Sequence, residues 1–328
     1  MTEFQPPPFV PHRWLRNGHL QTLVSVRSTP AEPLNPQRYH VEVSEGDCIA
    51  LHEDSPPGWR SGHPSMLLVH GLSGCHAAPY MLRLASRFLR RGVRVFRMDM
   101  RGCGAAAKLS RHVTHAGRSE DIMAALQHVA ERTDSGPMMM TAISMGGNQA
   151  LRAMGRVGSG DEQAPPWFDR MSKVAVVAPP IDLARCSRNM NRFRMRLYNY
   201  YFIRSLLSRV PEQVSAREDF QRQRRKGRPR TLWELDDQIT APLSGFRDAA
   251  EYYNDASSKW VIEHLPVPTL VLVAEDDPLV PIGCFVDESA KWSPHAKLVV
   301  SPTGGHVGFI DRKGECWMDE VIASWFID

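Results

Sequence analysis

Three residue types, far apart in the chain, carry the first chemical signal. Ser144 sits in "MMMTAISMGG" (138–147), after an apolar run and before two glycines. His306 lies in "SPTGGHVGF", and Asp276 and Asp277 lie in "VAEDDPLVP". A serine hydroxyl is a poor nucleophile near neutral pH unless a base takes its proton, and an imidazole base needs an acid to fix its tautomer. Ser144, one of the two aspartates and His306 thus form a candidate set for acyl transfer. A fourth segment, His70-Gly71-Leu72-Ser73-Gly74, follows the apolar run "SMLLVH", and its Gly71 and Gly74 let the backbone come close to a reaction centre. The N–H of Leu72 and that of Met145, the residue after the serine, are the expected donors to an oxyanion.

For these residues to meet, distant strand ends must converge at one edge of a sheet. The candidate strands are "SMLLVH" (65–70), "VRVFRMD" (93–99), "MMMTAIS" (138–144), "KVAVVAP" (173–179), "TLVLVAE" (269–275) and "AKLVVSP" (296–302). Amphipathic segments lie between most of them, such as "PYMLRLASRFLRRG", closed by Gly92, and "RSEDIMAALQHVAERT", with Ser119 as its expected N-cap. Apolar strands alternating with crossover helices imply a mostly parallel sheet covered on both faces. "YHVEVSEGDCIAL" alternates apolar and polar around Glu45-Gly46-Asp47, which adds an N-terminal antiparallel hairpin and makes eight strands. In an open sheet of this kind ligands bind at the carboxyl ends of the strands. Ser144 there occupies a sharp strand-to-helix turn, which is tolerable only if the residues two before and two after are small. Gly146 meets that need, whereas Ala142 puts a methyl where glycine is usual. Gly304 and Gly305 are expected to leave the His306 ring room to reach across the edge.

One domain over 1–328 is expected, with a Pro-rich arm over 1–37 lying on its surface. Between Pro180 and Pro266 the alternation gives way to helical periodicity without a convincing strand. That stretch, 181–265, is expected to form a helical cap above the site.

Composition narrows the class. Apolar residues make up 42% of the 328 and charged residues 23%, so disorder is excluded. The six cysteines are scattered without C-x-x-C spacing, and the start lacks a basic region followed by an apolar one, so a reduced, cytoplasmic protein is expected. No apolar run reaches the roughly 18 residues of a membrane span. The formal charge is +4, yet Arg192 to Arg230 holds twelve Arg or Lys against Glu212, Glu218 and Asp219. This excess has three readings: a solvated face of cap helices, peripheral contact with an anionic membrane or substrate, and, least favoured, nucleic-acid binding. "HVTH" (112–115) lacks further ligands at metal spacing, and "RGCG" (101–104) lacks phosphate-loop spacing. Trp317 and Trp325 read as helix core. No metal or cofactor is expected.

Together these segments resemble the YheT-type α/β hydrolases, group four of the AB-hydrolase superfamily. That group includes bacterial esterases, animal abhydrolase-domain phospholipases and fungal enzymes acting on medium-chain ethyl esters. The matching motifs are "NGHLQTL", "HGLSG", "RMDMRGCG", "HAGRSEDI", "ISMGGNQALRAMG", "APPIDLARCS", "TLWELDDQITAPLSGF", "PTLVLVAEDDPLVP" and "GGHVGF", spread over nearly the whole chain. The resemblance implies an α/β-hydrolase fold with a helical insertion and a Ser-Asp-His triad cleaving carboxylic esters of short or medium acyl chains. It places the nucleophile on Ser144, the base on His306 and the acid on Asp277. The last heads "DPLVP", a pattern common after that strand in α/β hydrolases, so Asp276 is left as a supporting loop group beside His70, Gly71 and Gly146. Acyl transfer to an alcohol, phospholipid cleavage by the same triad and a non-catalytic lipid-binding role are the alternatives. Ala142 and the very basic "RQRRKGRPR" depart from the family pattern.

Overall fold

All the apolar runs read as strands pair into one sheet. In this computed structural model, which describes residues 4–25, 34–287 and 290–327, the strands are β1 (Gln37–Val43), β2 (Asp47–Asp54), β3 (Ser65–Val69), β4 (Arg94–Asp99), β5 (Met138–Ile143), β6 (Met171–Val177), β7 (Thr269–Ala274) and β8 (Ala296–Ser301). Their order is β1-β2-β4-β3-β5-β6-β7-β8. The β1–β2 and β2–β4 pairs are antiparallel, and β4, β3, β5, β6, β7 and β8 run parallel. Every residue of β3, β5 and β7 is buried, which is why these strands read as unbroken apolar runs.

Parallel neighbours need crossovers, and helices supply them. Helix α1 (Gly18–Ser25) precedes the sheet; α2 (Pro79–Leu89), α3 (Ser119–Thr133) and α4 (Met145–Ser159) follow β3, β4 and β5. One core layer packs α2 and the C-terminal helix Trp317–Ile327 on the sheet through Met81, Leu84, Phe88 and Val321, with Trp317 and Trp325 buried in it. The opposite layer holds α3 and α4 through Ile122, Leu126, Ala150 and Leu151. Ser119 is not the N-cap of α3: it is the first helical residue, its N–H donating to Gly117 O at 2.7 Å, and Arg118 at the cap position makes no side-chain cap bond. Glu120 and Asp121 in the first turn complement the helix dipole instead.

Between β6 and β7 the chain is helical, with no strand among the described residues. It includes α5 (Leu183–Met190), α6 (Arg196–Ser208) and the helices Glu218–Arg225 and Ala249–Ala256. Ile203, Val214, Phe220, Leu235, Ile239 and Leu243 give part of this segment a small core of its own. Of the arm expected over 1–37, residues 1–3 and 26–33 lie outside the described residues, and Gln37 already pairs with Glu53 in the sheet. None of the described helices is long and apolar enough to cross a membrane.

Candidate active site

Strand β5 ends at Ile143 and α4 begins at Met145, which leaves Ser144 alone on the turn with φ +53° and ψ −122°. A non-glycine residue rarely adopts this conformation, so the surroundings must hold it. The Ser144 N–H donates to Val177 O at 2.8 Å and its carbonyl accepts from Asn148 N–H at 3.2 Å. A Cβ at Gly146 would strike the His70 carbonyl oxygen, and one at Gly147 would lie 3.0 Å from Pro179 Cβ. Ala142, by contrast, is fully buried in the layer with Met140, Ala150 and Leu151. The tight turn is thus set by Gly146 and Gly147, and the methyl of Ala142 fills core space.

Side chains from three strand ends meet there. His306 Nε2 lies 2.8 Å from Ser144 Oγ, and His306 Nδ1 lies 2.8 Å from Asp277 Oδ2. A carboxylate only accepts, so Nδ1 carries the proton and Nε2 offers its lone pair to the serine hydroxyl. Asp277 Oδ1 accepts from Leu279 N–H at 2.7 Å and Val280 N–H at 3.0 Å, so the loop after β7 fixes the carboxylate plane. Asp276 points elsewhere: its Oδ1 accepts from Gly305 N–H at 2.8 Å, its Oδ2 is buried without a hydrogen-bond partner, and burial pushes its pKa up.

The loop after β3 is held by its own histidine. Met100 N–H donates to His70 Nε2 at 3.2 Å, so the proton is on Nδ1, which donates to Gly71 O at 2.7 Å. Burial pushes the His70 pKa down and keeps the ring neutral. Gly71 N–H donates to the Tyr80 hydroxyl at 2.9 Å, and a Cβ at Gly71 would stand 3.0 Å from Ser144 Cβ. The loop therefore lies directly against the serine. Arg209, from the β6–β7 segment, donates to Ser73 O, and Asn189 of α5 donates to Pro278 O at 2.8 Å. The helical segment thus touches both the loop after β3 and the loop after β7.

Sequence reasoning missed the part played by "NGHLQTL". Helix α1 buries Gly18, Gln21 and Thr22 against the loop after β8. Thr22 Oγ1 accepts from His306 N–H at 2.8 Å while donating to Gly18 O at 2.7 Å. The Gln21 side chain donates to Leu15 O and Ile310 O and accepts from Ile310 N–H at 2.7 Å. A Cβ at Gly18 would strike the Asp276 carbonyl, and one at Gly305, where φ is +58°, would strike Gly18 O. Gly304 is needed because a Cβ there would meet the Phe309 ring. The two glycines before His306 therefore make room for α1 and Phe309, not for the imidazole. The available signal was the Gly-x-x-Gln-Thr of that motif, set among the apolar Leu15, Leu20, Leu23 and Val24.

Among the described residues His52, His76 and Asp99 are close enough together to share a metal ion. Their geometry suits hydrogen bonding better. The two rings stack with centroids 3.5 Å apart and planes 10° apart, so one ion could not lie in both ring planes. Asp99 Oδ2 instead accepts from His52 Nε2 (2.9 Å), His76 Nδ1 (2.8 Å) and Ala105 N–H (2.8 Å). His112 of "HVTH" pairs with Asp47 at 3.0 Å, and Arg101 of "RGCG" is buried on Asp121 at 2.5 Å.

Strand order, crossover helices and a helical segment before the last two strands describe a fold seen in other proteins. A family model described as the alpha/beta hydrolase fold matches residues 64–313. The chain belongs to that family. It is 26% identical over 323 residues to YheT of Escherichia coli (strain K12), whose name places it among esterases, with 97% of this chain and 92% of that protein covered. It is also 26% identical over 309 residues to mouse phospholipase ABHD3, covering 92% of this chain and 73% of that one. The solved structure of esterase Pf2001 from Pyrococcus furiosus superposes with a TM-score of 0.55 at 15% identity, covering 98% of each chain, which is a likeness of fold. The YheT-type resemblance is borne out, and the protein is an enzyme of the esterase and lipase type. Helix α1 lies outside the residues the family model matches.

Proposed function

We propose that this α/β hydrolase cleaves carboxylic esters of short to medium acyl chains through Ser144, His306 and Asp277. The observation that carries the reading is the unbroken line from Ser144 Oγ through both ring nitrogens of His306 to Asp277, each step at 2.8 Å. In the first step His306 Nε2 takes the hydroxyl proton while Ser144 Oγ attacks the ester carbonyl carbon. The carbonyl π electrons move onto its oxygen, which accepts from the N–H groups of Leu72 and Met145, donors typically worth about 3 kcal/mol each. A trans peptide points its C=O and N–H opposite ways, so holding Gly71 O against His70 turns Leu72 N–H away from that ring. His306 then protonates the leaving alkoxide and the alcohol departs. Water repeats the sequence on the acyl-enzyme, losing its proton to Nε2 and releasing the acid. Asp277 holds the reactive tautomer and stabilises the imidazolium, while Asp276, turned onto Gly305 N–H, is a supporting group of the same loop.

The charge of the helical segment supports a lipid as the source of the acyl group. A cavity of about 80 Å³ beside the loop after β3 is lined by Ser73, Arg101, Arg209 and apolar side chains such as Leu206 and Ile239, and by none of Ser144, Asp277 and His306. A larger one of about 370 Å³, lined by Pro64, Val93, Pro137 and Ser172, opens at the starts of the strands, away from the chemistry. Within 192–209 the cations, with no Asp or Glu among them, suit contact with an anionic lipid surface. An ester panel of increasing acyl length, run on wild type and Ser144→Ala, tests the reading. Turnover should fall as the acyl chain outgrows the site and vanish in the variant for every ester. Equal turnover by Ser144→Ala would refute it.

A further inference from the structure

Helix α1 is inside out. Its polar residues Gln21 and Thr22 are buried on the histidine loop, while Leu20, Leu23 and Val24 face solvent. Helix α6 buries Asn199 and Ile203 and turns Leu197, Tyr200 and Tyr201 outward, with Phe193 one turn earlier in line with them. Phe193 is 79% exposed and Leu197 82%. A helix whose inner face is already packed gains nothing in water from a second apolar face, so such a face marks a surface that meets something apolar. The two helices adjoin: the His19 ring bonds the Tyr198 hydroxyl at 3.1 Å. Of twelve large apolar side chains exposed among the described residues, nine belong to the arm or to 193–201. The patch therefore borders the Ser144 site, because Thr22 in the same helix holds His306.

Its charge is one-sided. Neither 10–25 nor 192–209 contains Asp or Glu. Arg13 lies over the Trp14 ring at 5.0 Å and Arg196 over Phe193 at 5.2 Å, so cations and apolar groups share one surface. Arg192, Arg194 and Arg204 are exposed, and among the described residues none of the three is in an ion pair. The tract 217–230 differs. Most of its cations are exposed too, but none of the large apolar side chains exposed among the described residues lies in it.

We infer that α1 and α6 form a lipid-docking rim at the mouth of the site, whose partner is an anionic bilayer surface. This rests on the ester-hydrolase reading and deepens it, because the rim would let ester-linked acyl chains leave the membrane next to Ser144. Apolar side chains enter the interface and the arginines meet anionic headgroups. The "RQRRKGRPR" tract takes no part in docking.

The test uses the full chain with vesicles of phosphatidylcholine alone and of phosphatidylcholine with phosphatidylglycerol. Wild type should sediment with the anionic vesicles and much less with the neutral ones. Phe193→Ser with Leu197→Ser should lower that binding about tenfold, as should Leu20→Ser with Leu23→Ser. Arg222→Gln, Arg224→Gln and Arg225→Gln combined should change it by less than about twofold. Turnover of a monomeric, water-soluble ester, measured in parallel, should stay within about twofold in the Phe193 and Leu197 variant. No wild-type binding to either vesicle, or a loss in the tract variant as large as in the rim variants, would overturn the inference. If soluble-ester turnover persists in that case, docking alone has failed. If wild type turns over no ester at all, the hydrolase reading has failed and the inference falls with it.

Discussion

The strand-end loops and helix α1 hold the same histidine by different means. The loops after β5, β7 and β8 present side chains: Ser144 on a strained turn, Asp277 fixed by two backbone N–H groups, His306 between them. Helix α1 offers no side chain to the reacting atoms. It contributes a close-fitting surface, with Thr22 on the His306 backbone, Gln21 on Ile310, and Gly18 and Gly305 allowing contact. On the proposed mechanism the loops carry the chemistry and the helix carries the geometry. An element outside the matched family core is thereby part of the site.

If that division holds, substitutions in the loops should act on chemistry alone and those in α1 on placement. Ser144→Ala and His306→Ala should each lower kcat by about 10⁶-fold with the fold intact by circular dichroism. Asp277→Asn should lower kcat about 10⁴-fold, while Asp276→Asn should cost less than about tenfold because its amide oxygen still accepts from Gly305 N–H. Gly18→Ala forces α1 away from the Asp276 carbonyl, and a displacement of that kind should lower kcat about 10²-fold while also lowering Tm. Thr22→Val removes one buried acceptor of nearly the same shape; kcat should fall about tenfold with KM unchanged, and Thr22→Ser should restore it. Ala142→Gly should leave turnover within about twofold and cost roughly 1 kcal/mol of stability, read by denaturant unfolding. An α1 variant that changed only Tm, with kcat untouched, would reduce the helix to a structural clamp.

The sheet and the candidate triad were legible because parallel strands are uniformly apolar and their ends carry the loops in chain order. Position 142 looked discordant only because the pentapeptide pattern does not show which neighbour sets the turn; Gly146 and Gly147 do so against His70 and Pro179. The role of Gly304 and Gly305 was misassigned for a related reason: what a glycine makes room for depends on which element arrives, here Gly18 of α1, 287 residues before Gly305, and Phe309, five residues after Gly304. The choice of Ser119 as cap missed by one residue, since a helix start depends on backbone geometry that Arg118 happens to supply. Helix α1 was the least legible. Its polar-in, apolar-out arrangement reverses the usual pattern, so periodicity alone points its faces the wrong way. The basic segment showed its charge but not its division into a rim with exposed apolar side chains and a tract of exposed cations without them.

Covalent labelling by a fluorophosphonate, followed by peptide mapping and rate measurement, bears most directly on the triad. One adduct is expected, on Ser144, absent in Ser144→Ala, formed far more slowly in Asp277→Asn and at nearly the wild-type rate in Asp276→Asn. A folded wild type that stays unlabelled, or an Asp276→Asn variant slower than Asp277→Asn, would contradict that triad.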